Sequence, residues 1–264
     1  MAKGEISFYS ETLHRMVPLT MVFPDQMDEP GKVLYLLHGY SDSHDTFIRN
    51  SSLERYLAGS GVMAVMPDGN NSFYTDMACG GDYWSFISRE LPDKIGKWFH
   101  VDSSRENTYV GGISMGGYGA AKLALHRPDR FSKAFLFSPV TDMVKVFREG
   151  FNQELDPTVP TLEDMHLGDI FGSVPVEGGP GDLYHLLGKR NAQGSRLPEF
   201  YIYTGTEDFI YKEICQFART LEQQGCLKEF VTAPGQHRWS TWDHFLEMMA
   251  GRLNSGPMDG GAVL

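Results

Sequence analysis

Short runs of β-branched and aromatic residues alternate along the chain with longer stretches whose apolar residues recur every three or four positions. The runs Arg15 to Phe23, Val33 to Leu37, Val62 to Met66, Thr108 to Gly111, Lys133 to Phe137, Phe200 to Thr204 and Glu229 to Ala233 predict strands. The first carries Pro18, which cannot donate to a ladder and so points to a place near the sheet edge. Helical spacing links Trp84, Ile87, Leu91, Ile95 and Trp98, then Ile214, Phe217, Ala218 and Leu221, then Phe245, Leu246, Met249 and Leu253. Strands separated by such helices imply right-handed crossovers. The predicted class is therefore α/β, a mostly parallel central sheet with helices on both faces and functional groups at the carboxyl ends of the strands.

One stretch breaks the rhythm. From about 141 to 196 the chain is rich in Gly, Pro, Asp and His, with short apolar pieces instead of a full crossover helix. It is too long for a structureless loop in a compact domain. Because it follows the strand next to the Ser114 segment, it reads as a small irregular cap inserted into a single domain spanning 1–253. The tail, 254–264, reads as disordered.

Composition narrows the classes. The 264 residues suit one large domain. Twenty-three Lys+Arg against 34 Asp+Glu give a net charge of −11, which argues against nucleic acid or an anionic membrane surface as partner. No run of about 18 apolar residues occurs, and the opening MAKGEISFYSETLHRMV lacks the apolar core of a secretion signal. Three cysteines, Cys79, Cys215 and Cys226, form neither an even set nor a metal-binding spacing. These features predict a cytoplasmic enzyme without metal or cofactor; Cys215 falls in a helical core pattern, and Cys79 in a loop that could adjoin a pocket. Nothing in the pattern specifies an oligomeric state.

The candidate chemistry starts at Gly112-Ile113-Ser114-Met115-Gly116, between the strand Thr108 to Gly111 and a small-residue helix that stops near Pro128. A serine on such a sharp strand-to-helix turn has its hydroxyl exposed over the end of a sheet, beside the free N–H groups of a helix start. A serine nucleophile needs a base, and the base needs an orienting carboxylate. Asp208 follows the strand ending at Thr204, and His237 follows the last strand, giving the chain order Ser, Asp, His. Asp142 and Glu207 are the rival acids. His126, His166, His185 and His244 do not directly follow a late strand, and His14 and His100 precede the serine. The oxyanion donors expected are the N–H of Met115 and, from the loop Leu37-His38-Gly39-Tyr40, the N–H of Tyr40, with Ser41 behind it and His38 bracing the loop.

Read in order, LLHGY, MPDGNNSFYTD, GGISMGGYGAAKLALHRPDRFSKAFLFSP, DIFG, GTEDF and PGQHRWSTWDHF resemble the "Putative esterase" family of the tributyrin esterase type, within the α/β-hydrolase superfamily. Esterase D and the mycolyltransferase antigens are relatives. The resemblance covers roughly Ser7 to Leu253. It implies an α/β-hydrolase fold, a triad of Ser114, Asp208 and His237, and a carboxylesterase acting on a small-molecule ester of a short acyl chain, with some relatives releasing acetyl, feruloyl or other cinnamoyl groups from plant carbohydrates. The chain departs from S-formylglutathione hydrolases, which carry a Trp- and Cys-bearing oxyanion segment where this one has LLHGYSDS. Acyl transfer to a sugar or lipid hydroxyl uses the same triad and stays open, as does a thioesterase; a silent binding protein would be expected to lack one of these groups. Ser41, Tyr74, Trp84 and Trp239 are the candidate pocket residues, although aromatics also build cores and the helical spacing of Trp84 favours that place.

Overall fold

Strands buried on both faces need apolar residues at nearly every position, and the central runs of this chain meet that demand. The computed structural model describes residues 1–25, 31–172 and 176–254. Its strands are β1 (Ala2–Ser10), β2 (Arg15–Phe23), β3 (Lys32–Leu37), β4 (Val62–Pro67), β5 (Thr108–Ile113), β6 (Lys133–Phe137), β7 (Glu199–Gly205) and β8 (Leu227–Ala233). They form one sheet in the order β1-β2-β4-β3-β5-β6-β7-β8. Pairing is antiparallel from β1 to β2 and from β2 to β4, and parallel from there to β8. Every residue of β4 and β5 is buried, whereas β8, at the open edge, alternates half-buried and exposed positions.

The helices are α1 (Thr46–Asn50), α2 (Leu53–Tyr56), α3 (Tyr83–Ser85), α4 (Leu91–Phe99), α5 (Met115–His126), α6 (Met143–Glu149), α7 (Leu167–Phe171), α8 (Leu183–Ala192), α9 (Tyr211–Gln223) and α10 (Trp239–Asn254). One core lies between the sheet and α4, α5, α8 and α9, with Leu91, Leu123, Leu187 and Phe217 buried in it. The other lies under α2 and α10, around Leu53, Phe245 and Met249. Fully burying each such side chain stabilises the fold by about 1.5–3 kcal/mol. The architecture is the α/β-hydrolase fold. Among the described residues no helix is long and apolar enough to cross a membrane.

Pro18 lies near the sheet edge but one strand in from it, since β1, which the hydrophobic pattern does not mark as a strand, covers β2 and pairs Ser7 with Pro18. One expectation changes: the stretch 141–196 contains a crossover helix. α8 lies beside α5, and Arg190 donates to the carbonyls of Leu125 (2.7 Å) and His126 (2.8 Å), capping the end of α5. Of the tail, Asn254 is the last helical residue and 255–264 lie outside the described residues. Cys79 is exposed, Cys215 half-buried and Cys226 buried.

Candidate active site

The chain leaves β5, reverses at Ser114 and enters α5. Ser114 has φ +55° and ψ −114°, a region that costs a non-glycine residue on the order of 1–3 kcal/mol. Its surroundings hold it there. Ser114 N–H donates to Phe137 O (2.9 Å), while Ser114 O accepts from Tyr118 N–H (3.0 Å) and Val140 N–H (3.2 Å). The flanking glycines are sterically required, since a Cβ on Gly112 would lie 2.2 Å from Gly116 O and one on Gly116 would lie 2.0 Å from Leu37 O.

Asp208 and His237 come from the loops after β7 and β8, which are tied together. Thr206 N–H donates to Ala233 O and Glu207 N–H to Gly235 O, both at 2.9 Å. The Asp208 side chain is fully buried; Oδ1 accepts from Ile210 N–H (3.1 Å), and the two oxygens lie 3.0 and 2.9 Å from His237 Nδ1. An ionised carboxylate can only accept, so Nδ1 carries the proton and Nε2 is left as the acceptor. Nε2 lies 2.9 Å from Ser114 Oγ. The ring is held by Phe209 (centroids 4.6 Å apart) and by Trp242 edge-on (4.9 Å), whose Nε1–H donates to Ser138 Oγ (3.0 Å).

The loop after β3 passes beside the serine: a Cβ on Gly39 would lie 3.7 Å from Ser114 Cβ. His38 braces this loop. Gly69 N–H donates to its Nε2 (2.8 Å), so Nδ1 carries the proton and donates to Gly39 O (2.8 Å). Asp68 stands 3.7 Å from the same ring. Burial alone would push the Asp68 carboxyl up, but the Asn70 N–H and the Arg15 guanidinium hold the group below the usual carboxylate range. Ser41 N–H donates to Asn71 Oδ1 (2.7 Å). Among the described residues the N–H groups of Met115 and Tyr40 meet no acceptor, and both residues line the cavity above Ser114.

That cavity holds about 310 Å³ and is bounded by Phe73, Phe151, Met165, Phe209, Trp239 and Trp242, with Ser41 at its mouth. A second cavity of about 450 Å³ adjoins it, sharing Val140, Phe151 and Phe209, and carries Asp142, Glu149 and Glu213 on its walls. Two expected pocket residues lie elsewhere. Tyr74 is fully buried beneath the loop after β3 and donates from its hydroxyl to His38 O (3.0 Å); Trp84 packs on His126 (4.8 Å), on the far side of α5. Asp142 is not part of the series either, since it caps α6 by accepting from Lys145 N–H (2.8 Å), and Glu207 is exposed. Phe151 and Met165, from the irregular stretch, line the cavity although nothing in their local sequence pattern marks a cavity wall. Phe209 was signalled only by following Asp208. Among the described residues no group of three or more His, Cys, Asp and Glu side chains is placed to hold a metal ion.

Comparison with known proteins fits this geometry. A family model described as "Esterase: Putative esterase" matches residues 10–253. An acetyl esterase of Caldicellulosiruptor saccharolyticus is 25% identical over 93% of this chain and 96% of its own. Among solved structures, the fluorophosphonate-binding serine hydrolase FphF of Staphylococcus aureus superposes with a TM-score of 0.86 at 29% identity, covering 97% of this chain and 99% of that one. An S-formylglutathione hydrolase of the same organism gives 0.81 at 28%, covering 96% and 99%.

Proposed function

Because the chain belongs to the Putative esterase family and is a serine ester hydrolase, we propose that it cleaves small esters of short acyl chains through an acyl-enzyme on Ser114. The observation that carries this reading is the unbroken series from Ser114 Oγ through both nitrogens of His237 to the buried Asp208 carboxylate. As the serine oxygen bonds to the ester carbonyl carbon, His237 Nε2 takes the hydroxyl proton, and Asp208 stabilises the imidazolium while holding its tautomer. Collapse of the tetrahedral intermediate expels the alcohol, which receives that proton. Water then attacks the acyl-enzyme with the same imidazole as base, and the acid leaves.

Negative charge builds on the former carbonyl oxygen in both halves. The N–H groups of Met115 and Tyr40 are the donors assigned to it, and the start of α5 adds its positive end. The cap expected within 141–196 contributes Phe151 and Met165 to the wall of the acyl side. The cavity of about 310 Å³ over Ser114 falls in the range of small-molecule sites, and the likeness to an acetyl esterase supports short acyl groups.

The test is a rate panel on p-nitrophenyl acetate, butyrate and octanoate with methyl ferulate alongside, after labelling with a fluorophosphonate to confirm Ser114 as the reactive group. Expected are fast turnover of acetate and butyrate and a steep fall at octanoate. Equal rates across the panel would refute the acyl assignment, and absence of labelling at Ser114 would refute the mechanism. The likeness to an S-formylglutathione hydrolase supports a second reading, cleavage of a short acyl thioester by the same steps. Matched acetyl thioester and oxygen ester of one leaving group separate the two. Adding an alcohol acceptor and analysing products tests acyl transfer.

A further inference from the structure

Lys122 lies on α5, two turns beyond Ser114, and is only 3% exposed. Burying an ammonium is costly unless its protons find acceptors. Here Nζ donates to Tyr74 O and to Thr75 Oγ1, both at 3.0 Å, and stands 4.8 Å from the ring centre of Trp84 and 5.6 Å from that of Tyr118. Burial pushes the amine down to about 7, partly offset by Asp76, so the side chain carries a real energetic penalty.

Its acceptors belong to the turn after β4. In that turn two successive non-glycine residues, Phe73 and Tyr74, are left-handed, with φ +47° and +48°. Such a turn persists only where its surroundings over-determine it. The two side chains diverge. Phe73 lines the cavity over Ser114, its ring 6.0 Å from that of Tyr40, while Tyr74 runs beneath the oxyanion loop and donates to His38 O at 3.0 Å. The Tyr74 ring leaves no slack, because a Cβ on Gly69 or on Gly119 would each lie 2.4 Å from one of its carbons.

We propose that Lys122 is a positioning residue for the oxyanion site: by clamping the Tyr74 carbonyl and the Thr75 hydroxyl it fixes, through the Tyr74 phenol and His38, the height of Gly39–Tyr40 above Ser114. The inference rests on the assignment of the Tyr40 N–H as an oxyanion donor. It predicts that Lys122 matters for the tetrahedral species and not for ground-state binding.

The experiment compares Lys122→Met, Tyr74→Phe, Thr75→Val and the Lys122→Met/Tyr74→Phe double variant. Steady-state kinetics on a butyrate ester are measured with the affinity for a short alkyl trifluoromethyl ketone, which a serine nucleophile converts to a tetrahedral adduct. Expected for both Lys122→Met and Tyr74→Phe is a kcat lowered about 10- to 100-fold with KM within about twofold, a parallel loss of ketone affinity, and a double variant no worse than the poorer single. The thermal midpoint of Lys122→Met should equal or exceed that of the parent, an outcome that a merely structural lysine would not give. Unchanged kcat and ketone affinity, or additive losses, would overturn the proposal. Should Lys122→Met fail to fold, Tyr74→Phe and Thr75→Val decide by the same split. Activity surviving in Ser114→Ala would sink the esterase mechanism itself, a result separate from all of these.

Discussion

Gly205 and Gly235 meet backbone to backbone: a Cβ on Gly205 would lie 2.2 Å from Gly235 O. The loops bearing Asp208 and His237 can stand this close only because Gly205 brings no side chain into the gap; a Cβ on Gly235 would instead meet Thr241 Oγ1 at 2.4 Å. Gly205→Ala should force the loops apart, lowering kcat on the order of 100-fold through misplacement of the imidazole. Overpacking should also cost about 1–3 kcal/mol of stability. Ester kinetics and urea unfolding on the same preparation check both, and a variant with parental kcat would show that the contact is unimportant.

Asp208→Asn keeps the shape but donates from its amide where a carboxylate accepted. The Nδ1 proton loses its acceptor and His237 adopts the wrong tautomer. A fall in kcat on the order of 10⁴-fold is expected with little change in thermal midpoint. A loss of tenfold or less would remove Asp208 from the mechanism.

Gly116→Ala places a methyl group 2.0 Å from the Leu37 carbonyl, with no flexible side chain to give way. A destabilisation above about 4 kcal/mol is expected, enough to leave most of the chain insoluble on expression. Recovery of folded, active protein would mean that β3 and α5 can separate more easily than their packing suggests.

Lys122 makes stability depend on pH in an uncommon direction. Its folded pKa is about 7, and the unfolded side chain keeps its proton to about 10.4. Between those values the unfolded state binds more protons, so unfolding free energy rises with pH, by up to about 1.4 kcal/mol per unit. The stability of the parent relative to Lys122→Met should therefore climb from pH 7 to 9 in urea titrations. A constant difference would place the lysine's titration outside this window.

The central strands were readable because burial on both faces writes itself as unbroken apolar runs, as in Val62 to Met66. β1 was harder: Lys3, Glu5 and Ser7 alternate with Gly4, Ile6 and Phe8, an edge pattern of ordinary hydrophobicity that gains its strand character from pairing with β2. Ser114, Asp208 and His237 could be found because each follows a strand and two sit beside required glycines. The pocket was legible only in part: Ser41 and Trp239 line it, while Tyr74 and Trp84 do not. Phe73 and Tyr74 are neighbours of similar character, and only their left-handed backbone sends one to the cavity and the other under the oxyanion loop. Trp84 fits both a pocket and a helix core by its position in the sequence, and it packs on His126.

The hydroxyl, the imidazole and the carboxylate come from the ends of β5, β8 and β7, and the imidazole arrives last along the chain. A nascent polypeptide that has emerged only through α9 holds its alcohol and its acid but not its imidazole base, and is chemically mute. Turnover consequently begins only when the closing strand docks on the sheet, which makes the appearance of activity a report on the completion of the fold.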